Sequence, residues 1–315
     1  MAKAIIAGGA GFIGSHLVRR LLASGYEVVV IDNMITGARD NLKEAKELYG
    51  HKLSIRILDC NNASTWETLD EADEVYHLAT PAAPQDYLSH PLETMKSGSL
   101  SVLYALDYCR QKGARILYTS TSEVYGDPLV NPQPETYWGN VNPIGPRSVY
   151  DESKRYAEAL MMATHRTYGL DTRLVRIFNT YGPGMRELDG RAVPNFILQA
   201  LREHPITIYG DGNQTRSFCF YRDTIDALTT VMQKGDHMPY NIGNPDMMTI
   251  NQLAELIIEL TKSSSSIAYH ILPENDPKVR CPDITRIKTL GWSLCYGIRE
   301  GLGITIDWMR EKYGL

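Results

Sequence analysis

Tyr150-Asp151-Glu152-Ser153-Lys154 sets a phenol and an ammonium at i and i+4, on one face of a helix. A free tyrosine ionises near pH 10 (about 10 in model peptides) and is a poor base at neutrality. A fixed cation nearby favours the phenolate and lowers that value. So placed, Tyr150 can take the proton of an alcohol. Y-x-x-x-K also occurs on solvated helix faces. Here it faces a second stretch, TSTSEVYGDP (Thr119–Pro128), which follows an apolar run and puts Thr121 and Ser122 directly before Glu123. Thr121 offers a third hydroxyl at the end of that strand, and Glu123 adds a carboxylate beside it.

Taking a proton from an alcohol is useful only if something takes the hydride. Gly8-Gly9-Ala10-Gly11-Phe12-Ile13-Gly14 follows a predicted strand and opens a helix, with glycines at 8, 11 and 14. Such a turn lets backbone approach a pyrophosphate, whose charge the helix N-terminus favours. Gly8, Gly11, Phe12, Ile13 and Gly14 are therefore expected to bind a dinucleotide. Asp32, followed by Asn33, ends the second strand about 20 residues further on, where a carboxylate can hold the adenosine ribose hydroxyls. It would repel a 2′-phosphate, so NAD is expected over NADP. Asp59 ends the third strand and can reach the adenine amino group or serve as a loop aspartate. Tyr150 and Lys154 complete the cofactor side.

These residues need a scaffold that brings strand ends together. Lys3–Ala7, Glu27–Ile31, Leu53–Leu58, Glu74–Leu78, Arg115–Ser120 and Thr172–Phe178 are compact apolar runs, as in strands buried on both faces. Helical patterns over Gly11–Ser24, Asn41–Tyr49, Pro91–Lys112 and Tyr150–Tyr168 alternate with them. The rhythm predicts an α/β fold: a Rossmann-type doubly wound parallel sheet over residues 1–178. Residues 179–315 read mainly as a smaller C-terminal substrate-binding lobe over the carboxyl edge of the sheet, with an approximate boundary that the chain can cross back over. Its helices are expected at Pro194–Glu203, with Pro194 in first position, and at Thr224–Lys234, Thr249–Thr261 and Arg299–Lys312. Thr261 to Ser266 reads as a polar loop.

Composition narrows the partners. Hydrophobic residues at 43% and charged residues at 22% fit an ordinary soluble globular protein. A formal charge of −5 gives no reason to expect nucleic acid or an anionic membrane. No apolar run approaches the roughly 20 residues that span a bilayer, and the N-terminal apolar segment is interrupted by glycines at once. Cys60, Cys109, Cys219, Cys281 and Cys295 are scattered, with no C-x-x-C pair. Neither a disulfide framework nor a metal site is expected, and the compartment implied is reducing, hence cytoplasmic.

Longer segments carry a resemblance. TSTSEVYGDP is followed by YWGNVNPIGPRSVYDESKR (Tyr137–Arg155), RIFNTYGP (Arg176–Pro183), DGRAVPNFILQAL (Asp189–Leu201) and YGDGNQTRSF (Tyr209–Phe218). A later echo runs from Asp276-Pro277-Lys278-Val279-Arg280 to Ile284, with Leu290-Gly291-Trp292 behind it. In this order they resemble the UDP-glucuronic acid decarboxylases (UDP-xylose synthases), a group of extended short-chain dehydrogenases/reductases, over nearly the whole chain.

The resemblance implies roles residue by residue. Thr121, Tyr150 and Lys154 match the superfamily's catalytic hydroxyl, tyrosine and lysine, and Glu123 the acidic residue of the decarboxylase motif. Asn179 matches the asparagine that holds the sugar nucleotide, and Asn195 and Arg216 positions near uridine and diphosphate. Arg280 matches an arginine at the diphosphate or carboxylate end, counted with both the catalytic and the substrate-binding residues. Guanidinium forks suit phosphate and carboxylate oxygens alike. The implied reaction is NAD-dependent conversion of UDP-glucuronate to UDP-xylose through a 4-ketone, by a cytoplasmic homodimer joined through the helices near Pro91–Lys112 and Tyr150–Tyr168. UDP-glucuronate 4-epimerase is the alternative that shares substrate and first step. A non-catalytic NAD- or nucleotide-sugar-binding protein is the alternative from another class. Ser122 stands where 4,6-dehydratases usually carry an aspartate, which disfavours dehydration. Four features depart from the group: Gly98 and Ser101 replace a usual asparagine and glycine, Gly184 a frequent arginine, and Phe220-Tyr221-Arg222-Asp223 is bulkier and more charged.

Overall fold

The computed structural model describes residues 1–187, 189–271 and 279–315. Asp276, Pro277 and Lys278 lie outside the described residues. The chain opens with β1 (Lys3–Ala7), α1 (Phe12–Ala23), β2 (Glu27–Asp32), α2 (Lys43–Tyr49), β3 (Leu53–Ile57), α3 (Ala63–Glu67) and β4 (Glu74–His77). Next come three helices, α4 (Pro84–Ser89), α5 (Pro91–Gly98) and α6 (Leu100–Lys112), then β5 (Arg115–Thr121), α7 (Ser148–Tyr168) and β6 (Thr172–Ile177). The strands pair in parallel, and Ala4 to Ala7, Val28 to Ile31 and Ile116 to Tyr118 are buried because helices cover both faces.

The helix expected over Pro91–Lys112 is two. It breaks at Ser99 (φ −121°, ψ −79°), directly after Gly98, a residue that disfavours helix continuation. Gly98 also sets the packing, since a Cβ there would lie 2.6 Å from the Ser153 Cβ on α7. Ser101 Oγ hydrogen-bonds to His77 Nε2 at 2.6 Å behind the sheet. Both departures from the family pattern thus sit in tight contacts just behind Lys154.

Beyond β6 lie β7 (Thr180–Tyr181), α8 (Ala192–Leu201), β8 (Ile206–Tyr209), β9 (Thr215–Ser217), β10 (Cys219–Phe220) and α9 (Tyr221–Lys234). The chain then returns to the sheet as β11 (Pro239–Ile242), parallel to β6. The resulting order is β11-β6-β5-β4-β1-β2-β3. A strand beginning with proline is tolerated there because β11 is an edge. β12 (Met247–Thr249), α10 (Ile250–Thr261), β13 (Ile267–His270), β14 (Val279–Arg280), α11 (Thr285–Lys288) and α12 (Ile298–Tyr313) complete the fold. Pro194 is the third residue of α8 rather than the first, still within the turn whose N–H groups lack intrahelical partners.

Two apolar layers flank the sheet, and a third fills the lobe between α8, α10 and α12. The seam between α1 and the chain after β7 is closed by His16. Its Nε2 donates to the Pro183 carbonyl at 2.7 Å and its ring packs on Tyr221, centroids 3.9 Å apart. Gly184 lies against this ring, since a Cβ there would sit 3.3 Å from His16 Nε2. Burial pushes the imidazole from 6.5 down to about 4, although the Pro183 bond works the other way. Between those values the unfolded chain holds a proton that the native state does not, so stability falls as pH drops from 6.5 toward 4. His16→Gln keeps a donor for Pro183 without titrating. Urea unfolding across that range should show a pH dependence weakened by on the order of 3 kcal/mol in the variant.

Candidate active site

β5 ends at Thr121, where the chain enters a 3₁₀ turn over Ser122–Tyr125. Thr121 Oγ1 accepts the Glu123 N–H at 3.2 Å, and this cap directs Glu123 into the cavity at the carboxyl edge of the sheet. The start of α7 supplies the other wall. Arg147, Tyr150 and Lys154 recur at helical spacing and line the same cavity as Thr121 and Glu123.

The Thr121 hydroxyl stands beside the Tyr150 phenol and favours its ionised form. Burial raises that phenol above the ordinary value; the Thr121 hydroxyl offsets part of this, and the Glu123 charge adds to it. The expected lowering by Lys154 is therefore not seen in the protein alone. Lys154 Nζ lies 5.6 Å from the Tyr150 ring centroid and donates instead to Thr119 O at 2.8 Å and Thr80 Oγ1 at 3.1 Å. Burial lowers the Lys154 ammonium from 10.5 to about 7, with only the Glu158 charge acting against it.

Glu123 is held by two arginines. Its Oε2 accepts from Arg147 Nη2 at 2.6 Å and from Arg280 Nη2 at 2.5 Å, and its Oε1 pairs with Arg280 Nη1. Burial would raise the carboxyl, but Arg280 and then Arg147 more than offset it, so it stays below the usual carboxylate range. At neutral pH Glu123 is a fixed anion and a poor proton carrier. Asp151, just behind, is buried with Oδ1 lacking a hydrogen-bond partner. Burial, then the Glu123 charge, pushes it up to about 7 against the pull of Arg147 and Arg280.

Arg280 reaches the cavity from β14, which pairs with β9 so that Arg280 stands opposite Arg216. Arg216 does not line the cavity; its Nη1 donates to Thr215 O at 2.9 Å, while its charge is felt by Glu123. Asn179 lines the cavity, with Nδ2 donating to Ser217 O at 3.3 Å. Asn195, half-buried on α8, does not. Sequence reasoning missed Arg147, Arg191, Thr80 and Tyr87, all on the cavity wall. Arg147 carried a usable signal, three residues before Tyr150. Tyr87 carried none, because α4 has six residues and no legible period.

At the other end, Gly8, Gly11, Phe12, Ile13, Gly14, Asp32, Asn33 and Asp59 line the same cavity. Gly8 has φ +82° and its Cβ would lie 2.7 Å from the Ala79 amide nitrogen. A Cβ on Gly14 would lie 2.1 Å from Gly8 O. Gly11 differs: a Cβ there would meet only Gly8 O, at an ordinary 3.4 Å, and would otherwise project into open space. Asp32 accepts the N–H groups of Ala10 and Met34, each at 2.9 Å, which fixes its carboxylate at the cavity edge with lone pairs to spare. Asp59 accepts the Asn61 N–H at 2.9 Å. Among the described residues no three His, Cys, Asp or Glu side chains are grouped to hold a metal ion, and no helix is long and apolar enough to cross a membrane.

The sequence pattern described as the NAD dependent epimerase/dehydratase family matches residues 4–243. The chain belongs to this family. Within it, UDP-glucuronic acid decarboxylases 5 and 3 of Arabidopsis thaliana are 48% and 49% identical to it, covering 99% of this chain and 91% and 89% of theirs. UDP-glucuronic acid decarboxylase 1 of Xenopus tropicalis is 43% identical, over 98% of this chain and 72% of its own. Among solved structures, UDP-glucose 4-epimerase from Thermotoga maritima with UDP-glucose superposes with a TM-score of 0.91 at 29% identity, covering 99% of both chains. A mutant UDP-glucuronic acid 4-epimerase from Bacillus cereus, in complex with a fluorinated UDP-glucuronic acid and NAD, gives 0.87 at 27%, covering 99% of this chain and 100% of its own.

As in the rest of the family, the cofactor is NAD. The space above Gly11 and the anchored Asp32 fit a dinucleotide: the fold requires glycine at 8 and 14, whereas at 11 only the cavity does. Gly11→Ala should therefore fold with a melting temperature near wild type. NAD⁺ affinity, measured by calorimetry, should fall about tenfold or more because the methyl occupies pyrophosphate space. Unchanged affinity would refute this reading of the loop.

Proposed function

We propose that this enzyme decarboxylates UDP-glucuronate to UDP-xylose through a 4-keto sugar. The observation that carries the reading is Glu123, held anionic between Arg147 and Arg280 on the wall that also bears Tyr150. The full-length similarity to UDP-glucuronic acid decarboxylases supports it. Tyr150 takes the proton of the sugar C4 hydroxyl, with Thr121 fixing its oxygen. NAD, when bound, supplies the acceptor and later the donor of the C4 hydride. Once C4 is a ketone, the C6 carboxylate is a β-keto acid. The C5–C6 bond breaks, carbon dioxide leaves, and the electron pair forms an enolate whose oxygen faces the Tyr150 hydroxyl. A proton returns to C5, and the C4 alcohol is restored as Tyr150 gives its proton back. The arginines flanking Glu123 offer guanidinium forks of the kind that bind carboxylate or diphosphate, and Arg216, Asn179 and Asn195 belong to the nucleotide side.

Glu123 in this reading positions Arg147 and Arg280 and sets the local charge; it does not shuttle a proton. That weighs against 4,6-dehydration, which needs an acid and a base where this site has Ser122 and a clamped anion. Tyr150 and Lys154, both buried on the cavity wall, weigh against a purely binding role. The five cysteines are unpaired, which supports a reducing, cytoplasmic setting. Leu92, Met95, Leu100, Leu103 and Tyr156 on α5, α6 and α7 are exposed, which supports a homodimer closing over those helices.

Incubating the protein with UDP-glucuronate and NAD⁺ and following the sugar by proton NMR should show a UDP-pentose appearing as C5 loses its carboxylate. UDP-galacturonate as sole product would replace the reading with 4-epimerisation, and an unchanged sugar would reject it. Glu123→Gln leaves two arginines facing a neutral amide and should lower kcat about a hundredfold, with NAD⁺ affinity unchanged. Light scattering should give twice the chain mass, and Leu92→Glu should reduce it to the monomer's.

A further inference from the structure

Tyr87, on α4, is stacked on Tyr150. The ring centroids are 5.1 Å apart and the planes differ by 10°. That is the offset-stacked range for aromatic pairs. Both rings are buried, at 1% and 6% exposure, and both line the cavity. The Arg147 guanidinium lies 6.0 Å from the Tyr87 centroid, and Lys154 Nζ 5.6 Å from that of Tyr150, so the two rings stack between residues that also bracket the site. The Tyr87 hydroxyl is buried without a hydrogen-bond partner. What the fold uses at this position is therefore the ring.

The placement of that ring is itself secured from two sides. Pro84 starts α4, and the helix touches α5 and α7. The neighbouring Asp86 forms an ion pair with Arg186, which belongs to the segment after β7. A residue of the lobe thus anchors the short helix whose next side chain lies on the base.

We infer that Tyr87 is a positioning residue for Tyr150: the Thr121 hydroxyl fixes the phenol oxygen, and the Tyr87 ring fixes the plane of the phenol. A contact at Oη alone leaves the Tyr150 ring free to pivot about it. Stacking removes that freedom. The inference rests on the role proposed above for Tyr150, because a base must meet its proton at hydrogen-bond distance and a displacement of about 1 Å can lower rate about a hundredfold.

Two variants separate ring from volume. Tyr87→Phe keeps the ring, whereas Tyr87→Met keeps length and apolar character without it. With UDP-glucuronate and NAD⁺, the phenylalanine variant should hold kcat within about threefold of wild type and leave the pH–rate profile in place. The methionine variant should lose about thirtyfold or more in kcat with KM within about threefold, and the limb of the profile that reports Tyr150 should move. A methionine variant with wild-type kcat, or a phenylalanine variant as slow as the methionine one, overturns the inference. Should the methionine variant not fold, the phenylalanine variant decides: full kcat supports the stack and a tenfold loss, about 1.4 kcal/mol, refutes it. A second readout does not depend on the reaction. In protein labelled with 3-fluorotyrosine, the Tyr150 ¹⁹F resonance, assigned by its loss in Tyr150→Phe, should shift in Tyr87→Met and stay in Tyr87→Phe. If wild type leaves UDP-glucuronate unchanged, the reaction assignment fails while this resonance still judges the stack, and an unmoved signal in Tyr87→Met counts against it.

Discussion

A carboxylate that is 7% exposed can remain charged only if cations meet it where it is buried, and Glu123 is met by Arg147 and Arg280. Removing one partner of such a group is costly, about 3–5 kcal/mol, because the charge left behind is uncompensated. This constraint ties together three distant parts of the chain. β5 must end at Thr121 to deliver Glu123, α7 must start at Ser148 to deliver Arg147, and β14 must pair with β9 to deliver Arg280. Any slip in these elements would strand a buried charge. The electrostatic demand of the site thereby acts as a check on the register of the fold.

α7 carries a similar logic along its length. Arg147, Tyr150, Lys154 and Glu158 recur at intervals of three and four, which keeps them on one side of a helix. Glu158 accepts Ser120 Oγ of β5 at 2.5 Å and pairs with Arg176 of β6 through bonds of 2.9 and 2.6 Å. The Glu158 end of the row thus fastens the helix to the two strands beside it, and the end that lines the cavity inherits its orientation from that attachment. Lys154, between the two, is spent on Thr119 O and Thr80 rather than directed at the phenol.

Much of this was legible in the sequence. The six strands of the first half announce themselves as apolar runs, because strands covered on both faces need no polar alternation. Gly8, Gly11, Gly14 and Asp32 were legible as one cavity wall because a tight strand-to-helix turn demands glycine and the carboxylate stands at the next strand end. The rest failed for physical reasons. β11 is four residues long with a proline at its head, so only pairing with β6 makes it a strand. The split between α5 and α6 falls just after Gly98, whose close packing on Ser153, about fifty positions away, is a tertiary contact that no local pattern shows. Tyr150 was expected as a lowered phenol, but spacing shows a charge and its neighbour without showing burial, and burial governs here. Arg216 and Asn195 lie off the wall of this cavity, so their assignment to the nucleotide rests on the resemblance alone.

The return of the chain as β11 bears on how the molecule could be taken apart. A break after residue 178 looks natural from the sequence, yet it would strip β6 of its outer neighbour and leave the N–H and C=O groups of Leu174 to Ile177 facing solvent. Exposed parallel edges of that kind recruit strands from other chains. Limited proteolysis or gene dissection at that point would therefore yield a sticky fragment rather than an autonomous nucleotide-binding unit. In evolutionary terms the two lobes are not interchangeable modules: whatever replaces the substrate lobe must also supply the last strand of its neighbour.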